Sequence, residues 1–379
     1  MIVGVPKEVK RNECRVALTA PGARALVAAG HRVLIEGGAG RASGISDSDY
    51  KAAGAEIMAA ARTVYQQAEM ILKVKEFLPE EFDLLREGQI VFTYLHSANN
   101  PEETRALLDR KVVGFAYEDI ETDDGRTPLL TPMSEIAGEV GLLMGVYQML
   151  TVNGGSGILI GGAVGVEPAV VAILGAGNVG LGAARYAVGL GADVTVLDVD
   201  VEKLRELRQK IFPQAKTLYA DESNLRRLLP RVDLLVNGVK WPPRSSRHVV
   251  TREMLKIMKK GALIVDISCD PAGAIETCVP TTFDDPVYEV EGIRHFCVAN
   301  LPSAVARTSS CTLCNSTLPY VLAIASRGWI EAIRTDLTLR RGLGFALGHL
   351  TFKPAATAQN LEYTPPGTVI ELFAGRSVP

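Results

Sequence analysis

The stretch Gly175-Ala176-Gly177-Asn178-Val179-Gly180 lies between an apolar run and a helical pattern, and this placement decides the fold class. The run before it, residues 170–174, is short and rich in β-branched residues, which is typical of a buried strand. Behind it we predict a helix over 181–191 and a second strand over 193–197, which ends at Asp198. A strand, three spaced glycines, a helix, a strand and an acid together form a dinucleotide-binding unit.

Each glycine of this turn has its own task. Gly175 permits the tight turn, Gly177 lets backbone approach a pyrophosphate, and Gly180 lets the helix pack on the strand. The helix N-terminus then presents unpaired N–H groups and a positive dipole end to the phosphates. Asp198 would accept hydrogen bonds from ribose hydroxyls and repel a 2′-phosphate, which favours NAD over NADP. The alternative is a glycine turn that serves helix packing alone.

Length and composition indicate a globular enzyme of two domains. The chain has 379 residues, 47% hydrophobic and 22% charged, which is long for one core and ordinary for a soluble protein. The net charge of −3 without a basic block disfavours nucleic acid as a partner. The N-terminal residues 1–8 lack the layout of a signal peptide, and the glycine-rich apolar stretch 157–166 is too short to span a bilayer. We therefore expect a cytoplasmic protein without a membrane partner.

The six cysteines do not suggest a disulfide framework in a chain of this size, which fits a reducing compartment. Cys311 and Cys314 have the C-x-x-C spacing, but the chain has no second pair for a zinc site and no thioredoxin-like strand before them. A redox or metal role remains the alternative. The simpler interpretation is that Cys311 and Cys314 are two small residues near the start of a helix. We predict no metal site.

The first 125 residues alternate between strand and helix patterns. The predicted strands are 2–5, 32–35, 70–74, 90–93 and 112–116, and the predicted helices are 21–29, 47–53, 61–67, 80–85 and 101–110. Such alternation predicts a parallel sheet with helices on both faces. Thr131 and Pro132 then supply a cap and a first-turn proline for a long helix through about Met149, which we expect to link two domains.

A second α/β unit follows, over residues 170–300, with further strands at 232–237 and 262–267. The tail holds a predicted helix at 317–327 and no predicted strand, so we expect it to pack on the first domain. The predicted fold class is therefore α/β, with two doubly wound parallel-sheet domains and a catalytic cleft between them. The second of these domains is a Rossmann dinucleotide-binding domain.

Ligands of open α/β sheets bind beyond the carboxyl ends of the strands, so the residues at those ends are candidates for a site. In the first domain these are Arg15 after the first strand, Lys73 and Lys75 at the end of the third, and His96 after the fourth. In the second domain, Asp270 follows the strand 262–267 and Asn300 follows the apolar run 296–299.

This set suits an amino-acid or keto-acid oxidoreductase. Such an enzyme needs fixed cations for a carboxylate, an acid/base of near-neutral pKa, and an anion that holds an ammonium or activates water. Each residue also has a simpler interpretation: Arg15 or Lys75 as a solvated loop charge, His96 as a structural histidine, Asp270 as a cap or turn residue. The remaining histidines show no comparable placement and are interpreted as structural: His31, His248, His295 and His349.

Several motifs resemble those of NAD-dependent alanine dehydrogenases, and the resemblance covers nearly the whole chain. The similar stretches are 4–8 (GVPKE), 15–19 (RVALT), 72–76 (LKVKE), 93–96 (TYLH), 131–135 (TPMSE), 284–288 (DDPVY), 298–302 (VANLP) and 319–320 (PY). The resemblance implies reversible oxidative deamination of L-alanine to pyruvate and ammonia by a hexamer. It also implies a substrate domain of residues 1–128 plus 306–379 and an NAD-binding domain of residues 129–305.

The resemblance also implies roles for individual residues. Arg15 and Lys75 would bind the substrate carboxylate and keto oxygen, His96 would be the acid/base, and Asp270 would handle the amine or water. Met133 and Asn300 would contact the substrate. The cofactor-binding residues implied are Ser134, Gly175, Gly177, Asn178, Val179, Gly180, Asp198, Lys203, Val239, Ile267, Asp270 and Leu301.

The chain departs from the family's pattern in several places. Pro271-Ala272-Gly273 follows Asp270 where the family usually has Gln-Gly-Gly, Glu139 replaces an arginine, and Lys203 replaces another on the adenosine side. The segments 236–244 and 266–270 look more like those of lysine-ketoglutarate reductases and saccharopine dehydrogenases. A related amino-acid or opine-type dehydrogenase with a larger substrate is therefore the alternative. A third candidate is an NAD(H)-binding module similar to the soluble part of a transhydrogenase, against which Lys75 and His96 together argue.

Overall fold

The computed structural model describes residues 1–241, 246–269 and 273–373, which divide into two compact units. The first unit comprises Met1–Pro132 together with the chain from Val305 onward, and the second is Met133–Ala304. The long helix α6 (Thr131–Gln148) begins at the end of the first segment and continues into the second unit. Within the three described stretches, every helix is too short or too polar to cross a membrane.

The first unit contains an eight-stranded sheet in the order β15-β14-β6-β5-β4-β1-β2-β3. Its strands are β1 (Ile2–Val5), β2 (Arg32–Glu36), β3 (Glu56–Met58), β4 (Met70–Leu72), β5 (Ile90–Thr93), β6 (Val113–Ala116), β14 (Leu343–Ala346) and β15 (His349–Leu350). The six strands from the N-terminal segment pair in parallel, whereas β14 and β15 pair antiparallel.

Helices surround this sheet. They are α1 (Ala20–Ala28), α2 (Asp47–Ala52), α3 (Ala61–Gln67), α4 (Pro79–Phe82), α5 (Pro101–Asp109), α11 (Ala306–Arg327), α12 (Trp329–Thr335), α13 (Leu337–Arg341), α14 (Lys353–Gln359) and α15 (Pro366–Phe373). Their starts follow local chemistry: Thr19 caps α1 and Ser46 forms a capping box with Asp49 on α2, so side-chain oxygens accept from otherwise unpaired N–H groups.

The second unit contains a seven-stranded sheet in the order β12-β13-β11-β10-β7-β8-β9. Its strands are β7 (Val170–Leu174), β8 (Asp193–Asp198), β9 (Lys216–Tyr219), β10 (Leu234–Asn237), β11 (Leu263–Asp266), β12 (Val287–Val290) and β13 (Ile293–Phe296). Only the edge strand β12 pairs antiparallel among these described strands. The helices are α7 (Asn178–Gly189), α8 (Val201–Glu206), α9 (Glu222–Leu228) and α10 (Arg252–Leu255).

The predicted class, two doubly wound α/β sheets with a Rossmann-like second unit, is confirmed. The expectation that the tail carries no strand is wrong, because β14 and β15 extend the first sheet beyond β6. Phe345 of β14 is buried in the apolar cluster of the first unit, together with Val91 and Leu107. The tail helix is also longer than predicted, since α11 begins at Ala306.

Candidate functional site

The glycine turn lies at the carboxyl end of β7, an interior strand of the second sheet between β10 and β8. Gly175 has φ of +92°, a left-handed conformation that favours glycine. Gly177 immediately precedes α7, and a Cβ added to it would meet no atom within 4 Å. Open space therefore faces the helix N-terminus, where first-turn N–H groups can bind an anion.

Gly180 has a different constraint. A Cβ added there would lie 1.8 Å from the carbonyl oxygen of Gly175, far inside van der Waals contact. The helix and the strand end are therefore as close as a residue without a side chain allows. The structure thus gives the third glycine the packing task that the motif predicts.

Asp198 ends β8, and its carboxylate organises the backbone around the turn. One oxygen, Oδ2, accepts a hydrogen bond from the Ala176 amide at 2.6 Å, and Oδ1 accepts one from the Asp200 amide at 2.8 Å. A carboxylate oxygen has two acceptor positions, so these contacts leave capacity for ribose hydroxyls. Asp198 therefore holds the backbone of the turn in place and can also accept hydrogen bonds from a ribose.

A cavity of about 640 Å³ opens over this turn. The residues expected to bind cofactor that line it are Ser134, Gly175, Gly177, Asn178, Val179, Asp198, Lys203 and Val239. Gly180 lies beneath the turn rather than on the cavity wall. Ile267 and Leu301 are also absent from the described lining, and both approach Gly141 of α6. Gly180, Ile267 and Leu301 would therefore influence a bound cofactor through their packing against other residues and not by lining the cavity.

Part of the cavity wall was not found from the sequence. Ala220 and Asp221, which follow β9, and Thr251 and Met254, at the start of α10, line the cavity. His248 lines it too, although the sequence placed it among the structural histidines, and its Nδ1 lies 2.8 Å from the Gly273 carbonyl oxygen. The strand-end rule would have selected Ala220 and Asp221 if β9 had been recognised. Neither His248 nor the α10 residues follow a predicted strand.

The predicted residues of the first unit follow β1, β4 and β5, which are neighbouring parallel strands of its sheet. Arg15 is 3% exposed and forms a bidentate contact with Glu13, with Nε–Oε1 at 2.7 Å and Nη2–Oε2 at 2.6 Å. Burial is the largest single effect and opposes the charge, but the hydrogen bonds and the negative charge of Glu13, with a smaller contribution from Glu8, together raise the pKa of Arg15. The guanidinium is therefore held as a cation in a protein interior.

Lys73 and Lys75 have different environments although they are two residues apart. Lys73 is buried, and its Nζ contacts Glu81 Oε1 at 2.7 Å and Glu8 Oε2 at 3.3 Å. This internal ion pair makes Lys73 structural. Lys75 is half-buried, and burial together with the nearby Arg15 lowers the pKa of its ammonium. A charged group in such surroundings gains from an incoming anion, which suits the expected role of Lys75.

His96 follows β5 and is exposed, with a left-handed backbone at φ of +49°. Its ring stacks on Tyr94, with centroids 6.0 Å apart and planes 8° apart. A non-glycine residue in this conformation is uncommon and costs free energy, and such residues cluster at functional sites. The backbone therefore gives His96 a second, independent reason to be considered functional.

Glu118 holds the His96 segment in place and was not selected from the sequence. Its carboxylate accepts hydrogen bonds from the amides of Leu95 and His96, and Oε1 lies 3.4 Å from His96 Nδ1. Glu118 follows β6 just as His96 follows β5, so the strand-end rule could have found it. The carboxylate is positioned to favour a histidine tautomer with a proton on Nδ1.

Other candidates are placed less directly. Met133 is buried on α6, and Asn300 has a left-handed backbone after β13. Asp270, with Pro271 and Ala272, lies outside the described residues. Cys314 is buried on α11 and its sulfur accepts from Thr19, whereas Cys311 is exposed. Within the described stretches, no group of three or more His, Cys, Asp or Glu side chains could hold a metal ion.

One α/β unit has a glycine turn beside a large cavity, and the other has Arg15, Lys75 and His96 after the ends of its strands. These two features define the class of the protein, which is a dinucleotide-binding oxidoreductase. The chain belongs to the alanine dehydrogenase/PNT family. The profile described as "Alanine dehydrogenase/PNT, N-terminal domain" matches residues 4–137, and the one described as "Alanine dehydrogenase/PNT, C-terminal domain" matches residues 141–353.

Individual relatives extend over almost the whole chain. An alanine dehydrogenase from Methanococcus maripaludis is 49% identical over 366 residues, which cover 96% of this chain and 98% of that protein. A solved structure of an L-alanine dehydrogenase is 40% identical with a TM-score of 0.91, covering 94% of this chain and 99% of the other. A transhydrogenase structure from Sinorhizobium meliloti is 25% identical with a TM-score of 0.78, covering 93% and 99%.

Proposed function

We propose that this protein catalyses the reversible, NAD-dependent oxidative deamination of L-alanine to pyruvate and ammonia. The observation that carries the proposal is the strand-end set of the first unit, in which a buried Arg15 and a half-buried Lys75 accompany an exposed His96. Two cations and one titratable base are what an α-amino acid or α-keto acid requires. Proteins named alanine dehydrogenase that are similar over nearly the whole chain support the choice of substrate.

Each residue has a defined task in this proposal. Arg15 and Lys75 bind the substrate carboxylate and keto oxygen, which fixes the α-carbon in place. His96 moves the proton that the nitrogen or oxygen at that carbon must gain or lose, and Glu118 keeps its ring oriented. Asp270 is proposed to act on the amine or on water, as the resemblance implies. Met133 and Asn300 are proposed to contact the substrate side of the site.

The dinucleotide is proposed to be NAD, which supplies the hydride acceptor. The residues fit it: Gly177 and the start of α7 suit the pyrophosphate, and Asp198 suits an adenosine ribose with a free 2′-hydroxyl. Asp198→Gly removes the anion that would repel a 2′-phosphate, so the preference for NADH over NADPH should narrow. Asp193→Asn changes a carboxylate at the other end of β8 and should leave the preference unchanged, as measured by the ratio of kcat/KM values. An unaltered ratio in Asp198→Gly would contradict the assignment.

The decisive assay supplies pyruvate, ammonia and NADH and follows their joint consumption. Turnover supports the proposal, whereas turnover only with lysine and 2-oxoglutarate would favour the larger-substrate alternative. His96→Ala should lower kcat by about 100- to 10,000-fold, the usual contribution of general acid/base catalysis, and should leave the Kd for NADH unchanged. His349→Ala, which alters a histidine of β15 far along the chain, is the matched control. Equal turnover of His96→Ala and wild type would remove His96 from the mechanism.

We also propose that residues 1–128 and 306–379 form the substrate domain and that 129–305 form the NAD-binding domain. The strand-end cations support the first assignment and the glycine turn supports the second. A cytoplasmic hexamer is proposed on the resemblance alone. Light scattering coupled to size exclusion measures the oligomer, and a mass below that of six chains at working concentration would contradict it.

A further inference from the structure

Two segments that depart from the family's pattern, 236–244 and 266–270, begin at the ends of neighbouring strands of the second sheet. Asn237 ends β10 and Asp266 ends β11, and the two residues are direct partners in the parallel ladder. Asn237 Nδ2 donates to Asp266 Oδ1 at 2.7 Å. Both residues are buried, at 0% and 1% exposure. A buried hydrogen bond therefore joins the two strand ends at which these segments begin.

Each member of the pair also holds the backbone of the loop that follows it. Asn237 Oδ1 accepts from the Val239 amide at 3.2 Å, and Asp266 Oδ1 accepts from the Ser268 amide at 3.2 Å. The first loop lines the dinucleotide cavity with residues 238–241. Since the side chain of one strand end bonds to the other, the two loops are fixed as a unit rather than separately.

Burial shifts the protonation equilibrium of the Asp266 carboxyl towards its neutral form. Burial raises its pKa to about 7, and the groups that face it are Asn237, the Ser268 amide, and the thiols of Cys278 and Cys297. Among the described residues Oδ2 accepts no hydrogen bond. None of the described groups that act on it most strongly is a cation. An acceptor at Oδ1 is therefore what the structure uses, and a carboxamide would provide the same acceptor.

We propose that Asn237 and Asp266 are a positioning pair that sets the 238–241 loop for dinucleotide binding. The pair does not touch the reacting atoms; it acts through the amides of Val239 and Ser268. This inference rests on the proposed function, because it assigns the loop to the dinucleotide. The positioning role predicts that the two side chains can be exchanged, because one strand end must supply a donor and the other an acceptor, and either residue can take either part.

The test compares four variants by fluorescence titration with NADH, alongside urea unfolding of each protein. Asn237→Asp replaces the amide donor with a second carboxyl group, which can donate only while one of the two carboxyl groups is protonated. At alkaline pH the Kd for NADH should therefore rise at least roughly tenfold, the equivalent of one lost buried hydrogen bond. Asp266→Asn keeps an acceptor at Oδ1, so its Kd for NADH should rise less than that of Asn237→Asp. The double variant Asn237→Asp/Asp266→Asn restores a donor–acceptor pair and should recover the affinity. Asp233→Asn, at the opposite end of β10, is the control and should bind NADH as wild type does.

Steady-state kinetics provide a second readout. A positioning role predicts that Asn237→Asp raises the KM for NADH more than it lowers kcat, and that the double variant reverses this. Wild-type protein that fails to bind NADH would defeat the proposed function itself. Wild-type protein that binds NADH, with Asn237→Asp binding equally well, would overturn the inference alone. If Asn237→Asp does not fold, a folded double variant with a tenfold weaker Kd would overturn it as well.

Discussion

Gly180 is the residue of the dinucleotide turn at which one added methyl group has the clearest consequence. In Gly180→Ala the new Cβ would lie 1.8 Å from the Gly175 carbonyl oxygen, and real Cβ atoms essentially never approach closer than 3.0 Å. The N-terminus of α7 would therefore have to move by about 1.2 Å relative to β7. The clash is with a backbone carbonyl oxygen, so no side-chain rotation can relieve it and the backbone itself has to shift.

Two measurable effects follow. Forcing an extra methyl group into a close-packed contact costs typically about 1–3 kcal/mol of unfolding free energy. A hydrogen bond of about 2.9 Å that lengthens by the same displacement is no longer a hydrogen bond. Each charge-assisted bond lost from the proposed pyrophosphate contact weakens binding by about 1.5–3 kcal/mol, which is roughly ten- to a hundredfold in Kd.

The same helix supplies the control. Gly189 ends α7, is exposed, and an added Cβ would meet no atom within 4 Å. Gly189→Ala should therefore stabilise the protein by about 0.5–1 kcal/mol through helix propensity and leave NADH binding unchanged. Urea unfolding and NADH fluorescence titration measure both variants. A Gly180→Ala protein with wild-type stability and wild-type Kd would refute the reasoning about this contact.

Two further predictions concern the first unit. Glu81→Ala removes the 2.7 Å partner of the buried Lys73 and leaves Glu8 as its carboxylate partner, so we expect a loss of about 1–3 kcal/mol in unfolding free energy. The exposed Glu80→Ala should change it by less than about 0.5 kcal/mol, and equal urea midpoints for the two variants would contradict this. Burial and the nearby Arg15 lower the pKa of Lys75, so its charge is lost as pH rises through a value below that of an ordinary lysine. In Lys75→Arg the fall of kcat/KM for pyruvate at alkaline pH should therefore occur at higher pH, because arginine stays charged. If the pH profiles of the variant and the wild type superimpose, Lys75 does not bind the substrate through its charge.

The predictable parts of this fold are those whose signal is local. The glycine turn and the apolar run before it predict β7, α7 and β8, since periodicity and turn chemistry lie within one short window. The strands β3 and β9 are not predicted from the sequence because each has only three or four residues, and several of these are polar or exposed. The tail strand β14 pairs antiparallel with β6, more than two hundred residues earlier, and β15 pairs with β14. No local pattern encodes such a distant partner.

The site divides in the same way. Strand-end placement selected Arg15, Lys75 and His96, and the same rule applied to β6 would have added Glu118. It could not separate Lys73 from Lys75, because the difference lies in Glu8 and Glu81, which reach Lys73 only in the folded chain. Distant partners of this kind set burial and charge, and hence which of two similar side chains is available to a ligand.

The charges around Arg15 explain why the proposed substrate site needs a second cation. Glu13 accepts hydrogen bonds from Nε and Nη2 of Arg15, so the pair as a whole is neutral. Glu76 and Lys10 form another neutral pair beside Lys75. A substrate carboxylate that approached Arg15 alone would meet the field of Glu13 as well, and attraction and repulsion would largely cancel. Among the residues that the structure describes, Lys75 forms no ion pair of its own, so it supplies the positive charge that matches the single negative charge of a carboxylate. In the proposed site Arg15 therefore provides direction through its fixed fork, and Lys75 provides the net attraction.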